Sequence, residues 1–270
     1  MTSPPASSYR ATDGAAYEIF LGRWTQRLAD AFLDFAALPD AGDILDAGCG
    51  TGSLATALAA RWPGRRVVGI DIAEPYIAYA RSREPAHRAL FMVGDVSSLP
   101  WGNGQFAAAL AQLCLNFVPA PDVALREMLR VTRRGGVVAA SGWDFRGGLV
   151  YQRLFWDSAA GIDPAAGTAR DRLFSAPLAL PDGLLNLFEH CGLLRVEQSS
   201  ITIRMDYADF ADYWQPLLGG QGPVGTYAMK LNGDVRSRVE QVVKAAYCSG
   251  APDGPRSMTA TAWAVRGIVP

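Results

Sequence analysis

The feature that most constrains the fold is the decapeptide from Asp43 to Gly52, which reads Asp-Ile-Leu-Asp-Ala-Gly-Cys-Gly-Thr-Gly. A short apolar run that ends at an acid, Asp46, and then meets glycine at alternate positions predicts a buried strand that turns sharply into a helix. Glycine permits a tight turn and a close approach of ligand to backbone. The stretch indicates a ligand cradle of the nucleotide-binding type; the simpler alternative is a tight turn that ends an apolar strand.

The spacing of the glycines and the charge of Asp46 limit which kind of ligand this turn can bind. The chain has G-x-G-x-G, whereas the dinucleotide fingerprint is G-x-G-x-x-G and binds a pyrophosphate at the helix N-terminus. A carboxylate at Asp46 would repel a phosphate and favour a ligand that carries positive charge. The spacing and the lack of a Tyr-x-x-x-Lys pair therefore disfavour a nicotinamide-dependent oxidoreductase.

Two further predicted strands also end in acids. Residues 66–71 form a β-branched run that ends at Asp71, roughly 20 to 25 residues after the glycine turn, where a ribose-binding acid lies in βαβ nucleotide-binding units. Residues 90–96 form a third strand that contains Asp95. Because the carboxyl ends of parallel strands meet at one edge of a sheet, we expect Asp46, Asp71 and Asp95 to lie together at a ligand-binding edge.

Four motifs in order carry a resemblance to a known family: Ile-Leu-Asp-Ala-Gly-Cys-Gly-Thr-Gly, Val-Gly-Ile-Asp-Ile, Gly-Asp-Val-Ser-Ser-Leu-Pro-Trp and Arg-Val-Thr-Arg-Arg-Gly-Gly-Val-Val. Over residues 43–143 the chain resembles the class I S-adenosylmethionine-dependent methyltransferases, and within them the small-molecule branch with the ubiquinone and menaquinone methyltransferases. The resemblance implies an α/β fold with a doubly wound, Rossmann-like, mostly parallel sheet of seven strands. It also implies S-adenosyl-L-methionine as cofactor and a small-molecule methyl acceptor.

The resemblance implies roles for residues of the glycine turn and of the second strand. Gly48, Gly50 and the backbone around Ala47 would face the methionine part of the cofactor, with Asp46 near its ammonium group or an ordered water. Asp71 would accept hydrogen bonds from both ribose hydroxyls.

The resemblance also implies contacts to the adenine and an N-terminal helical segment that covers the cofactor. Ile72 would pack on the adenine, and Asp95 with the Val96 amide would bind the adenine edge. An N-terminal helical cover over residues 13–37 would close over the cofactor through Tyr17 and Arg23, with Arg23 facing the carboxylate. The alternative, a core tyrosine and a surface arginine, stays open.

The ends of the fourth and fifth predicted strands, residues 106–111 and 137–141, supply the remaining core positions. Gln112 and Leu113 would line the junction of cofactor and acceptor. Asn116 is expected as a substrate contact or, equally, as a turn cap. Trp143 and Asp144 are expected in the acceptor pocket.

Residues 205–255, between a predicted sixth and seventh strand, are longer than a simple crossover needs. This aromatic-rich insertion is expected to form a helical lid that carries Tyr213 and Trp214 to the acceptor. The alternative is that these aromatic side chains pack the insertion on the core.

The length, apolar content and charge of the chain limit the classes of function that it can have. The chain has 270 residues, half of them apolar, which suits a single domain over residues 1–270. A net charge of -1 disfavours a nucleic-acid partner. The longest apolar run, residues 106–118, is too short to span a membrane, and no secretory signal is apparent, so we expect a cytoplasmic protein. The scattered cysteines predict no metal site.

Some positions carry weaker expectations. Residues 1–12, rich in Ser and Pro, are expected to be disordered. The two histidines, His87 and His190, are expected in structural or surface positions. The sequence identifies no catalytic base and no oligomeric state.

The expected activity is methyl transfer by in-line displacement, which needs mainly alignment of the reactants and exclusion of water. A general base is needed only when the acceptor must lose a proton. The alternatives are a non-catalytic module that binds S-adenosylmethionine and, less favoured, the oxidoreductase.

Overall fold

The computed structural model describes residues 13–83 and 88–270. The expectations for residues 1–12 and for His87 fall outside this range. Within it the chain forms one seven-stranded sheet. The strands are β1 (Ile44–Ala47), β2 (Val67–Asp71), β3 (Ala89–Val93), β4 (Phe106–Gln112), β5 (Thr132–Trp143), β6 (Leu194–Tyr207) and β7 (Arg256–Ile268).

The strand order is β3-β2-β1-β4-β5-β7-β6. Strands β1 to β5 pair in parallel, and β7 lies antiparallel between β5 and β6. This arrangement confirms the expected doubly wound, mostly parallel sheet. The carboxyl ends of β1 to β5 lie at one edge, where open α/β sheets bind ligands.

Helices flank the sheet. They are α1 (Gly14–Tyr17), α2 (Arg23–Ala36), α3 (Ser53–Arg61), α4 (Glu74–Arg83), α5 (Pro121–Val131), α6 (Val150–Ala160), α7 (Pro164–Phe174), α8 (Gly183–His190), α9 (Phe210–Leu217), α10 (Gly222–Ala228) and α11 (Gly233–Cys248). None of the helices described is long and apolar enough to cross a membrane.

The buried strands explain the continuous apolar runs of the sequence. Ile44 and Val67 pack into the cluster with α2, α3 and α4, whereas Leu45 and Val68, the next residue in each strand, pack into the cluster with α5 and α8. Successive side chains of a strand point to opposite faces, so a sheet covered on both faces needs apolar residues at every position.

The N-terminal cover is an irregular helix. A π-helical turn, Glu18–Gly22, separates α1 from α2. The turn ends at Gly22, where a Cβ atom would come within 2.3 Å of a Glu18 carboxylate oxygen. The turn brings Phe20 and Leu21 toward the ligand edge.

The insertion between β6 and β7 contains α9, α10 and α11 and packs with α6 and α7 in one large hydrophobic cluster. Tyr213 and Trp214 are each 1% exposed in this cluster, where Trp214 stacks on Phe210 with ring centroids 5.8 Å apart. The expectation that these two side chains line the acceptor pocket is therefore corrected. Their large apolar surfaces are buried between helices. This agrees with the alternative in which these side chains pack the insertion on the core.

Candidate functional site

A cavity of about 730 Å³ lies at the ligand edge of the sheet. Its walls come from the N-terminal cover, the glycine turn, the ends of β2, β4 and β5, and the start of α6 and α10. The sequence-predicted site residues that line it are Tyr17, Asp46, Gly48, Gly50, Asp71, Ile72, Asp95, Val96, Gln112, Leu113 and Trp143. The structure thus brings these sequence-predicted residues together in one cavity.

The glycine turn has left-handed backbone at Gly48, Gly50 and Gly52, with φ of +73°, +54° and +91°. A Cβ atom at Gly48 would lie 2.1 Å from the Cys114 sulfur. Glycine is therefore required at position 48 both by conformation and by space. The turn presents bare backbone to the cavity, directly before α3 begins at Ser53.

Asp46 is the unusual charged group of the site. It lies on β1, is fully buried, and neither of its carboxylate oxygens has a hydrogen-bond partner among the described residues. Burial raises the pKa of the Asp46 carboxyl to about 8; the backbone N–H of Ala55 opposes this rise, and repulsion from Asp71 adds a smaller contribution to it. A buried carboxylate without a partner is costly, and a cationic or hydrogen-bond-donating ligand group would relieve that cost.

Asp71 is held by backbone amides. Its two carboxylate oxygens accept hydrogen bonds from the Gly50 N–H at 2.9 Å and the Ala73 N–H at 2.8 Å. Burial raises the pKa of this carboxyl, and the two amides oppose that rise. The carboxylate therefore has a fixed orientation at the cavity wall, with lone pairs left over for a ligand hydroxyl.

Ile72 and Asp95 lie at the open rim. Ile72 is 69% exposed and lines the cavity, so its side chain is available for contact with a flat apolar ligand. Asp95 accepts a hydrogen bond from the Ser97 N–H at 2.8 Å, which orients its carboxylate beside Val96.

The cover is joined to the glycine turn by hydrogen bonds. Glu18 accepts a hydrogen bond from the Thr51 hydroxyl at 2.5 Å, and the Thr25 and Ser53 hydroxyls share one at 2.9 Å. Gln112 donates from Nε2 to the Thr25 carbonyl at 3.0 Å. These contacts hold the π-helical turn over the cavity, and such turns are frequent at functional sites.

Aromatic side chains line the part of the cavity beside the ends of β4 and β5. Phe117, Phe145 and Trp143 line it, and the Phe117 and Phe145 rings meet edge to face at 6.4 Å. Gln152, at the start of α6, is 3% exposed and also faces the cavity. Its Nε2 donates to the Tyr151 hydroxyl at 2.9 Å.

Arg23 and Asp144 are bound elsewhere in the protein. Arg23 forms a bidentate ion pair with Asp212 of α9, at 2.9 and 3.3 Å, and lies over the Trp24 ring. Asp144 accepts hydrogen bonds from the backbone amides of Arg146 and Gly147 and so caps its own loop. Neither is among the residues that line the cavity, which corrects both expectations.

Ala47 and Asn116 also lie outside the lining residues. Ala47 is buried at the end of β1. It is adjacent to the glycine turn in sequence, but it does not line the cavity. Asn116 donates from Nδ2 to the Leu178 carbonyl at 3.2 Å and joins the loop after β4 to the segment before α8. This long-range bond is a tertiary contact, which is neither the expected substrate contact nor the expected cap.

Sequence reasoning missed several cavity residues: Phe20, Leu21, Thr25, Thr51, Ser53, Phe117 and Gln152. Phe20 and Leu21 depend on the π-helical turn, which helical periodicity does not reveal. A glutamine at the buried start of an apolar helix was a signal that could have drawn attention to Gln152.

The fold places the chain in a recognised class. Phosphoethanolamine N-methyltransferase 2 of Haemonchus contortus, solved with S-adenosyl-L-methionine, superimposes with a TM-score of 0.59 at 15% identity over 95% of this chain and 56% of that chain. The 4+2 cyclase SpnF superimposes with a TM-score of 0.55 at 22% identity over 97% of this chain and 87% of that chain. These likenesses show a shared Rossmann-like methyltransferase fold, on which different chemistry occurs.

Sequence comparison is more specific. Residues 45–140 match the family model described as a methyltransferase domain. A demethylmenaquinone methyltransferase of Roseiflexus castenholzii is 37% identical over 109 residues, 40% of this chain and 46% of that protein. A malonyl-acyl-carrier-protein O-methyltransferase of Pectobacterium atrosepticum is 35% identical over 96 residues, 36% of each chain. The match thus spans less than half of these relatives and confirms the resemblance to the class I methyltransferases over the core.

Proposed function

We propose that this protein is an S-adenosylmethionine-dependent methyltransferase (EC 2.1.1.-) that acts on a small molecule. The observation that carries the proposal is Asp46, a fully buried and unpartnered carboxylate directly before a glycine turn that exposes bare backbone to the cavity. An amino-acid ammonium group is the kind of ligand that such a carboxylate favours. The methyltransferase-domain match over residues 45–140 supports the same cofactor.

The described residues fit this cofactor along its length. Asp46 and the turn at Gly48 and Gly50 would hold its methionine part, Asp71 its ribose, and Ile72 with Asp95 its adenine. Since Arg23 is paired with Asp212, we assign the carboxylate of the methionine part instead to the N-terminus of α3, which begins at Ser53. When bound, S-adenosylmethionine supplies an electrophilic methyl group on sulfur.

The chain itself contributes alignment and exclusion of water. Phe20 and Leu21 of the cover, with Phe117 and Phe145, give the cavity an apolar lining. An enclosed apolar wall keeps water from the reacting atoms, and alignment alone supplies a large share of the rate in a displacement of this kind. The proposal assigns no general base.

The depth of the cavity favours an enzyme over a non-catalytic module. Phe145 and Gln152 also line the cavity, beyond the residues that we assign to the cofactor, and we infer that they bound a second compartment for an acceptor. A module that only bound the cofactor would not need this compartment. A cytoplasmic location and the absence of a nucleic-acid partner stay predictions of the sequence.

The test is calorimetric titration with S-adenosylmethionine, S-adenosylhomocysteine and NAD. We expect the first two to bind and NAD not to bind. In Asp71→Ala the affinity should fall by about 10- to 150-fold, because a hydrogen bond to a charged group contributes roughly 1.5 to 3 kcal/mol. Asp171→Ala, which removes an exposed carboxylate on α7, is the matched control and should leave affinity unchanged. Binding of NAD alone would overturn the proposal.

A further inference from the structure

Two buried polar atoms in the aromatic part of the cavity lack a hydrogen-bond partner among the described residues. The Oε1 atom of Gln152 and the Nε1 atom of Trp143 have no hydrogen-bond partner in the part of the chain that the structure describes. Both side chains line the cavity and are 3% exposed. The unpaired Nε1 atoms of Trp24, Trp156 and Trp263 belong to side chains outside the cavity lining. Buried polar groups are normally paired, and since Gln152 and Trp143 line the cavity, a ligand that donates one hydrogen bond and accepts another would satisfy both.

These atoms lie well away from the ribose acid. Trp143 ends β5, and β5 is three strand spacings from β2, which ends at Asp71. At the usual spacing of about 4.8 Å the two strands are about 14 Å apart. We therefore place Gln152 and Trp143 in the second compartment, away from the position proposed for the ribose.

The charge of the cavity limits what this compartment accepts. Among its described lining residues there is no lysine, arginine or histidine, and the charged ones are Asp46, Asp71 and Asp95, at the ends of β1 to β3. An anionic acceptor would therefore find no cationic side chain of the protein among these residues to offset its loss of hydration. The compartment therefore suits an uncharged molecule.

Tyr151 fixes the orientation of the Gln152 amide. Its hydroxyl accepts the Nε2 hydrogen bond, so the carbonyl Oε1 is the atom left for the cavity. Burial raises the pKa of the Tyr151 phenol well above its ordinary value, so this hydroxyl stays neutral. Tyr151 is in turn held from α9, because the Tyr213 hydroxyl donates to its backbone carbonyl at 2.8 Å.

We propose that Gln152 and Trp143 form a hydrogen-bonding subsite for an uncharged, mostly apolar methyl acceptor, with Gln152 accepting from its hydroxyl or N–H group and Trp143 donating to it. Tyr151 acts as a positioning residue. The inference rests on the proposed function, because it takes the cofactor to occupy the Asp71 end of the same cavity.

The experiment uses the full chain saturated with S-adenosylhomocysteine and titrates three two-ring compounds, 2-naphthol, 2-methoxynaphthalene and 2-naphthoate. We expect 2-naphthol to bind roughly 5- to 10-fold more tightly than its methyl ether, which lacks the donor, since a typical hydrogen bond contributes about 1 kcal/mol. The naphthoate anion should bind more weakly than either. In Gln152→Leu the preference for the naphthol over the ether should disappear.

Variants separate positioning from folding. Tyr151→Phe should reduce the naphthol preference while thermal unfolding still shows a folded protein. Gln241→Leu, on the exposed side of α11, is the control and should keep the preference. Equal preference in wild type and Gln152→Leu, tighter binding of the naphthoate, or no binding of any of the three compounds would each overturn the subsite.

Failure of the proposed function and failure of the Gln152–Trp143 subsite give different experimental results. S-adenosylhomocysteine is titrated first, and a wild-type protein that does not bind it overturns the proposed function and the subsite with it. Binding of S-adenosylhomocysteine without the naphthol preference overturns the subsite alone.

Discussion

Glu18 accepts a hydrogen bond from the Thr51 hydroxyl at 2.5 Å, although the two residues lie 33 positions apart in the chain. Glu18 begins the π-helical turn of the cover, and Thr51 lies inside the glycine turn. The second oxygen of Glu18 is hydrogen bonded to Arg83 at the end of α4. One carboxylate thus joins the cover to two parts of the nucleotide-binding core.

This contact predicts measurable coupling between the two residues. In a double-mutant cycle of Glu18→Ala and Thr51→Ala, the free energy of unfolding should show an interaction of about 1.5 to 3 kcal/mol, because the bond is to a charged acceptor. Urea denaturation gives the four values. The pair Glu18→Ala and Thr56→Ala, on the exposed side of α3, is the control. Additive effects for Glu18 and Thr51 would contradict the contact.

The glycine turn can be tested by comparing two alanine substitutions. Gly48 and Gly50 both have positive φ, but a Cβ atom at Gly48 would be 2.1 Å from the Cys114 sulfur, whereas one at Gly50 would find its nearest neighbour, Tyr76, at 3.9 Å. Gly50→Ala should cost about 1 to 2 kcal/mol of unfolding free energy from backbone strain alone. Gly48→Ala should cost about 1 to 3 kcal/mol more from the steric clash. Equal losses would show that Cys114 moves freely.

Asp46 predicts a pH dependence of stability. Its pKa of about 8 in the folded protein lies above the ordinary value of 3.8, so the folded state binds the proton more tightly than the unfolded state. The contribution of Asp46 to stability should therefore fall as pH rises from about 4 to about 8 and stay constant above that. The measurement is the difference in unfolding free energy between wild type and Asp46→Asn across this range, without cofactor. A difference that does not change with pH would contradict the buried, unpaired carboxylate.

The same carboxylate predicts proton release on cofactor binding. At pH 7, below the folded-state pKa, Asp46 is mostly protonated, and a nearby ammonium group favours the charged form. Titrations with S-adenosylmethionine in buffers of different ionisation enthalpy should show net release of protons, and Asp46→Asn should show less. Proton uptake by the wild type would place the ammonium group elsewhere.

Trp214 and Ile72 should separate stability from binding. Trp214→Ala should lower the unfolding free energy by about 3 to 5 kcal/mol, as expected for a buried aromatic side chain, with S-adenosylhomocysteine affinity of the folded protein unchanged. Ile72→Ala should do the reverse, since this side chain is exposed at the cavity rim: little change in stability and weaker binding. Loss of affinity in Trp214→Ala would return this residue to the binding site.

The site divides into positions that the sequence could predict and positions that it could not. Asp46, Asp71 and Asp95 were predictable because each ends an apolar strand, and a parallel sheet brings such ends to one edge. Arg23 was not, because its partner Asp212 lies 189 residues away on α9. The same holds for Gln152, whose place in the cavity depends on how α6 packs beside β5.

By itself the sequence determined the strands, the glycine turn and the edge at which a ligand would bind. Apolar periodicity and glycine at fixed spacing act through backbone geometry over a few residues, so they can be read locally. Only the tertiary structure decided that Tyr213 and Trp214 belong to the core, that Arg23 is bound to α9 and that Gln152 faces the cavity. Those outcomes depend on which distant surfaces pack together, and an aromatic or charged side chain is equally suited to a pocket or a core until that packing is fixed.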